Sequence, residues 1–237
     1  MQFTDLRIKI FADGANLQDI LNLAQLPHIK GFTTNPTLMR KHGVTDYSAF
    51  AQQVLQHITD RAVSFEVFSD EFDEMERQAR LIAGWGENVY VKIPVTNTRR
   101  ESSAALIQKL AADGLKLNVT AIMTPAQVRK VSDALQAEVP SIVSVFAGRI
   151  ADAGCDPLPI MIESLKILRD LPNAELLWAS PREVFNVVQA EQIGCPIITM
   201  TSDLLAKLPN LGKDLEDYSL DTVKMFYNDA QASQFKL

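Results

Sequence analysis

The sequence has few cysteines and histidines, and their positions exclude several kinds of protein. Its 237 residues include two cysteines, Cys155 and Cys195, with no CxxC pair and no histidine cluster beside them. A disulfide-rich scaffold and a cysteine-based zinc site are therefore excluded. One disulfide between the two is an alternative, but we expect two buried, reduced thiols. His28, His42 and His57 show no metal-ligand spacing, so we expect surface histidines and no metal site.

Long apolar runs and an excess of positive charge are also missing. No run approaches the roughly 18 apolar residues of a membrane span, and the apolar stretch near the start is too short for a signal peptide. Lys and Arg number 23 against 29 Asp and Glu, a net charge of −6, which speaks against nucleic acid as a partner. With 47% hydrophobic residues the composition is that of an ordinary folded domain. We expect a soluble, cytoplasmic protein.

What the sequence does contain is a regular alternation of two kinds of segment. Short apolar runs rich in β-branched residues recur at residues 8–12, 31–34, 62–68, 89–93, 115–120, 141–146, 175–179 and 196–200. Amphipathic segments of helical period follow them at residues 15–24, 46–58, 70–85, 99–112, 125–138, 157–171, 182–192 and 202–208. Continuous apolar strands are typical of parallel sheets covered by helices.

Eight such units predict a single-domain α/β protein, a (β/α)8 TIM barrel over residues 1–210. An open doubly wound sheet is the alternative, but no GxGxxG follows the first strand. We expect residues 211–237 to form a further helical extension, with apolar side chains at Leu220, Val223, Met225 and Phe226. These side chains need a partner, which is either the barrel or a neighbouring subunit.

The chemistry of such a barrel lies at the carboxyl ends of its strands. Lys92 stands between apolar residues of the fourth strand, where a charged amine is costly to bury. Burial favours the neutral amine, which is a nucleophile toward carbonyls. Asp13 and Glu66, at the ends of the first and third strands, would supply the proton transfers that Schiff-base chemistry requires. The alternatives are a lysine that reaches solvent or pairs with Glu66, and an Asp13 that caps the first helix.

A second group of polar residues follows the sixth and seventh strands. Arg149, Ser180 and Arg182 predict a phosphate site, helped by the amides of a helix that begins near Arg182. The alternative is that the two arginines are solvated surface residues. Asn35 precedes Pro36 after the second strand, where it would also suit a turn.

Six segments in order along these strands resemble the transaldolase family, in particular its short members, which include fructose-6-phosphate aldolase-like enzymes. They are GFTTNPTL, VYVKIPVT, LNVTAIMT, SVFAGRIAD, LLWAS and IGCPIITM, within a resemblance from about residue 8 to 205. The resemblance implies a class I aldol mechanism in the pentose phosphate pathway, without metal or cofactor. Its substrates would be sugar phosphates: sedoheptulose 7-phosphate or fructose 6-phosphate as donor, and glyceraldehyde 3-phosphate or erythrose 4-phosphate as acceptor. Short relatives form rings of subunits, which implies a homo-oligomer.

The resemblance also implies roles for individual residues. Lys92 would form the imine, Asp13 would exchange a proton with the C4 hydroxyl, and Glu66 and Thr120 would act through a water. The positions that bind dihydroxyacetone hydroxyls are matched by Thr33, Asn35, Asn118 and Ser144, and those that bind phosphate by Arg149, Ser180 and Arg182.

Two residues favour transfer of dihydroxyacetone over its release. The aldolase-like members have Gln on the third strand and Tyr on the sixth, where this sequence has Glu66 and Phe146. We therefore expect a transaldolase. The alternatives are a fructose-6-phosphate aldolase-type lyase and a non-catalytic sugar-phosphate-binding barrel. The sequence departs from the family at Gly14, which follows Asp13, and at Pro181, where the family has an aromatic residue.

Overall fold

A computed structural model describes residues 2–233, and its centre is a closed parallel barrel with strands in sequential order. The strands are β1 Lys9–Asp13, β2 Ile29–Thr33, β3 Ala62–Glu66, β4 Val89–Pro94, β5 Leu117–Ile122, β6 Ser141–Val145, β7 Ala174–Trp178 and β8 Ile197–Thr201. β1 pairs with β8 and closes the ring. The predicted (β/α)8 barrel is confirmed, with every predicted strand present, β2 beginning two residues earlier and β5 two residues later than expected.

Helices cover the outside of the barrel and its loops. They are α1 Leu17–Ala24, α2 Pro36–Lys41, α3 Tyr47–His57, α4 Phe72–Ala83, α5 Ala104–Ala112, α6 Pro125–Ser132, α7 Ala147–Asp152, α8 Pro157–Ile167, α9 Phe185–Gln192, α10 Ser202–Leu205 and α11 Leu215–Ser233. Within residues 2–233, none of these helices is both long enough and apolar enough to cross a bilayer.

Local sequence signals explain where several helices begin. Thr124 caps α6 by accepting from the Gln127 amide, Gln127 caps back, and Pro125 occupies the first turn, where its missing N–H costs nothing. α2 also begins with a cap and a proline: the Asn35 side chain accepts from the Leu38 amide, and Pro36 occupies the first turn. α1 is capped by Asn16 and not by Asp13, so the interpretation of Asp13 as a helix cap is wrong.

The apolar core has two layers, separated by the strands. Most buried side chains lie between the barrel and its helices, where Trp178 and Phe65 are fully covered. A smaller cluster fills the barrel interior and contains Phe11, Ile142, Leu177, Ala179 and Ile197. The Phe11 ring fits only because β2 has a glycine opposite it: a Cβ on Gly31 would lie 2.5 Å from Cζ of Phe11.

Cys155 and the C-terminal helix α11 lie on the surface of the protein. Both thiols are free, but only Cys195 is buried; Cys155 is exposed, so its expected burial is wrong. Part of the predicted extension forms α11, and none of the side chains of α11 is buried. Residues 234–237 of that extension lie outside the described residues.

Candidate active site

A cavity of about 510 Å³ opens at the carboxyl ends of the strands. Of the residues predicted for the site, all except Asn118 and Arg182 line it: Asp13, Thr33, Asn35, Glu66, Lys92, Thr120, Ser144, Phe146, Arg149 and Ser180. The rest of the wall includes apolar side chains that the sequence did not single out, among them Leu38 and Met123. The barrel therefore gathers residues from strands far apart in the chain into one cavity.

Lys92 lies at the bottom of this cavity and is 6% exposed. Its Nζ donates to the backbone carbonyl of Thr34 at 2.8 Å and lies 3.2 Å from Oε2 of Glu66. β3 and β4 are in register at these two residues, which brings the side chains together on the inner face. The alternative that Lys92 reaches solvent is excluded. Its pairing with Glu66 is present, and it lies inside the cavity.

Asp13 faces the same cavity from the end of β1. Thr33 Oγ1 donates to its Oδ1 at 2.8 Å, and Thr33 also shares a 2.6 Å hydrogen bond with Thr199 on β8. Burial raises the pKa of Asp13, while the positive charge of Lys92 and the Thr33 hydrogen bond lower it less. The carboxylate is therefore a stronger base than an exposed aspartate. Gly14 beside it has open space where a Cβ would be, so packing does not require glycine there.

Glu66 is held at its backbone by a residue that the sequence analysis missed. The Tyr47 hydroxyl on α3 donates to the Glu66 carbonyl at 2.8 Å and accepts from the Glu66 amide at 2.7 Å. No motif marks Tyr47, because its contact is with a backbone 19 residues away.

A buried hydrogen-bonded chain lies next to Lys92. Ser144 Oγ donates to Oδ1 of Asn118 at 2.7 Å, and Asn118 Nδ2 donates to Ser64 Oγ at 3.0 Å. Asn118 lies behind Ser144 and fixes its orientation, while Ser64 was not predicted for the site. Its signal was available, since Ser64 lies two residues before Glu66 and shares its face of β3. The buried Thr120 hydroxyl has no hydrogen-bond partner within residues 2–233.

Arg149 and Ser180 meet at one side of the mouth. The Arg149 guanidinium lies 5.5 Å from the centroid of the Phe146 ring. Ser180 has a φ of +57°, which is costly for a residue with a side chain. Its carbonyl packs on Gly148 so closely that a Cβ there would lie 1.5 Å away. The approach of two loops thus brings Ser180 next to Arg149.

Arg182 is not part of the cavity wall. Its Nε and Nη2 donate to the Asp152 carboxylate at 2.5–3.1 Å, and this ion pair raises the pKa of Arg182. The amides of Arg182 and Glu183 donate to the Asn186 side chain, and α9 starts three residues after Arg182. The expected anion site at these amides is therefore wrong, because the amides are already bonded.

No group of three or more His, Cys, Asp or Glu residues in the described part of the chain is arranged to hold a metal ion. The cavity instead combines a buried amine, two carboxyl groups of different environment and a cationic rim. Such a set can form a covalent bond with a carbonyl compound and move protons at two separate points.

Comparisons with known proteins agree with this geometry. A model of the family described as Transaldolase/Fructose-6-phosphate aldolase matches residues 10–237. A "Probable transaldolase" from Dehalococcoides mccartyi is 34% identical over 85% of this chain and 90% of its own. A "Probable transaldolase 2" from Listeria monocytogenes and a "Probable transaldolase" from Streptococcus agalactiae are each 34% identical over 90% of this chain, covering 95% and 97% of their own lengths. The chain is therefore a member of the transaldolase/fructose-6-phosphate aldolase family.

Proposed function

We propose that this chain is a transaldolase that transfers a dihydroxyacetone unit between sugar phosphates through an imine on Lys92. The observation that carries the proposal is the position of the Lys92 amine, buried 3.2 Å from Glu66 in a cavity that also contains Asp13. Binding alone does not need a buried amine between two carboxyl groups, which disfavours a non-catalytic sugar-phosphate-binding barrel.

In the first half of the reaction, Lys92 gives a proton to Glu66, 3.2 Å away, and the free amine attacks the ketone carbon of the donor to form a carbinolamine. Loss of water then gives the imine, and Glu66 moves the protons of these two steps. The Thr120 hydroxyl, which has no partner in the described chain, is suited to hold the water through which Glu66 acts. Thr33, Asn35 and Ser144 would bind the dihydroxyacetone hydroxyls, with Asn118 holding Ser144 in place.

Asp13 breaks and remakes the carbon–carbon bond. Its carboxylate takes the proton of the C4 hydroxyl as the C3–C4 bond breaks, which releases an aldose phosphate and leaves an enamine on Lys92. The enamine attacks the acceptor aldehyde, and Asp13 returns a proton to the new hydroxyl. Hydrolysis of the resulting imine, with Glu66 again moving the protons, frees Lys92 and releases the product ketose phosphate. The raised pKa of Asp13, caused by burial, makes it a more effective base for this step.

The phosphate of both substrates would bind at the mouth, on Arg149 and Ser180, with Arg182 as a third contact. Arg149 and Ser180 line the cavity. Arg182 is half exposed and paired with Asp152, and a surface ion pair of this kind is weak enough to yield to a phosphate.

Transfer is favoured over release because Phe146 lines the cavity and has no proton to give. Protonation of the enamine would release free dihydroxyacetone, so a wall without an acid at this point preserves the enamine for the acceptor. A fructose-6-phosphate aldolase-type lyase remains the second candidate.

Borohydride trapping tests the central step. Fructose 6-phosphate and borohydride should add a reduced dihydroxyacetone or hexose phosphate to the peptide that contains Lys92, as read by mass spectrometry. Lys92→Ala should give no adduct and keep its fold, whereas Lys109→Ala, on the exposed face of α5, should still give one. Absence of an adduct on the wild-type chain would contradict both enzyme candidates.

Product release separates the two candidates. Glyceraldehyde 3-phosphate formed from fructose 6-phosphate should accumulate over many turnovers only when erythrose 4-phosphate is added. Accumulation of glyceraldehyde 3-phosphate at the same rate with and without erythrose 4-phosphate would identify a lyase.

The C-terminal helix α11 exposes its apolar side chains. α11 displays Val223 and Phe226 at 60% and 64% exposure and buries none of its side chains. An isolated helix of this length is marginal in water, and most helices are stabilised by packing. We assign a second copy of the chain as the partner of α11, which makes the protein a homo-oligomer.

A further inference from the structure

The Glu66 end of β3 extends beyond its neighbour on one side. β2 pairs with β3 up to Thr33 opposite Ser64, and the Thr34 amide then donates to the Ser64 carbonyl. Glu66, two residues further on, presents its amide and carbonyl toward the same side. β2 offers no strand partner there. On the other side β3 stays bonded to β4, since the Val67 amide donates to the Lys92 carbonyl.

The Tyr47 hydroxyl takes the place of the missing strand. It accepts from the Glu66 amide at 2.7 Å and donates to the Glu66 carbonyl at 2.8 Å, so one side-chain oxygen satisfies both backbone groups. Without this hydroxyl, the amide and carbonyl of Glu66 would bond to water, and the peptide groups at the end of β3 could rotate.

The ring of Tyr47 is held in turn by an aromatic cluster. Its centroid lies 6.2 Å from that of Phe65, 5.8 Å from Phe68 and 5.7 Å from Trp85. Tyr47 is the first residue of α3, which Asp46 caps through the Ala49 amide. Burial raises the pKa of Tyr47, so its hydroxyl keeps the proton that it donates. The hydroxyl therefore has a fixed position and a fixed proton.

We propose that Tyr47 is a positioning residue for Glu66: its hydroxyl fixes the last backbone unit of β3 and thereby the 3.2 Å approach of the Glu66 carboxylate to the Lys92 amine. The inference rests on the proposed function, because it concerns the proton transfers assigned to Glu66. Tyr47 does not line the cavity, so it acts through a residue that does, and its hydroxyl bonds both backbone groups of Glu66.

Tyr47→Phe tests the proposal, since it removes the hydroxyl and keeps the ring in its cluster. We expect kcat for the transfer reaction to fall by about tenfold to a hundredfold, the effect of misplacing a catalytic group by about 1 Å. KM should change by less than about twofold, because the groups proposed to bind substrate are untouched. Borohydride trapping should slow in parallel. Tyr90→Phe, at the opposite end of the barrel beside Lys9 and Glu175, is the matched control and should keep its kcat.

A double-mutant cycle separates positioning from general stability. In a Glu66→Gln background, Tyr47→Phe should lower the trapping rate no further, because the group it positions is already gone. An equal loss in both backgrounds would overturn the proposal, as would a Tyr47→Phe variant with wild-type kcat. Thermal unfolding shows that each variant is folded. If the wild-type chain itself gives no Lys92 adduct, the proposed function fails, and that outcome is distinct from either result on Tyr47.

Discussion

Asp13 shows at the scale of one residue how function and stability oppose each other. Its carboxyl group lies at the end of a buried strand, and burial raises its pKa above the ordinary value of an aspartate. Between the unfolded and the folded pKa, the folded chain retains a proton that the unfolded chain has lost. This group therefore contributes stability that is fully present below the unfolded pKa and is lost as the pH rises through the folded pKa.

Asp13→Asn should raise the stability of the chain near pH 7. The amide has almost the same shape, still accepts the Thr33 hydrogen bond, and carries no charge to desolvate. Urea unfolding of both chains should show the gain at about pH 7 and a smaller one at about pH 4, close to the unfolded pKa of aspartate. The variant should also lose turnover. Equal stability of the two chains at both pH values would contradict the assignment of a desolvation cost to Asp13.

Single residues were predictable from the sequence where they lie at strand ends. Lys92 and Asp13 were predicted because a charged residue in a buried strand is energetically costly and so indicates a function. The barrel then brings all strand ends together. Tyr47 was not predicted, because its hydroxyl contacts a backbone 19 residues away, whereas Ser64 could have been found from its position two residues before Glu66 on the same face of β3. The side-chain direction of Arg182, toward Asp152, depends on a packing detail that sequence patterns do not contain.

At the scale of elements, α7 and the loop after β7 form a unit that positions Ser180. Gly148 in the first turn of α7 lets the Ser180 carbonyl lie against its Cα, and the Gly148 amide donates to the Ala179 carbonyl at 3.3 Å. Ser180 takes a φ of +57° directly before Pro181, a backbone form that costs about 1 kcal/mol or more. The close approach of the Ser180 carbonyl to Gly148 fixes where this strained residue lies.

Gly148→Ala should displace Ser180 from the mouth of the cavity. Its Cβ would lie 1.5 Å from the Ser180 carbonyl oxygen, so the loop has to move. We expect KM for phosphorylated sugars to rise by about tenfold, with a smaller change in kcat, as for the loss of a ground-state contact. Gly84→Ala is the control: its nearest neighbour would be 3.4 Å away, and KM should stay the same. An unchanged KM in Gly148→Ala would remove Ser180 from the phosphate site.

The barrel itself was predictable at this scale, and its short helices were not. Continuous apolar strands recur with helical segments between them, and each strand was confirmed. α2 and α7 have six residues each, which is too few for a helical period to show in the sequence. The Asn35–Pro36 pair was a usable signal for α2, since an N-cap followed by proline is typical of a helix start.

At the scale of the whole molecule, α11 is a helix that buries none of its side chains against residues 2–233. Leu220, Val223, Phe226 and Tyr227 form an exposed apolar stripe along it, at 50% to 64% exposure. A stripe of this kind is typical of an interface between proteins. The barrel is complete without α11, so the helix is available to a second copy.

Replacement of Val223 and Phe226 by glutamate should dissociate the oligomer. Sedimentation velocity should show a wild-type assembly larger than one chain and a variant close to the mass of one chain. Lys224→Glu changes the net charge by the same −2 at a position that is not one of the four apolar residues, and it should keep the wild-type mass. A wild-type chain that sediments as a monomer would contradict the assignment of a second copy to α11.

The apolar cluster around Phe11 closes the barrel interior, so the cavity opens only at the carboxyl ends of the strands. Phe11, Ile142 and Ile197 fill the barrel below the cavity, so donor and acceptor have to use the mouth beside Arg149 and Ser180. In the proposed transfer reaction, the first aldose phosphate would leave by the route and from the phosphate contacts that the second must use. We therefore expect the two aldehydes to exclude each other, each inhibiting the half-reaction of the other by occupying its place.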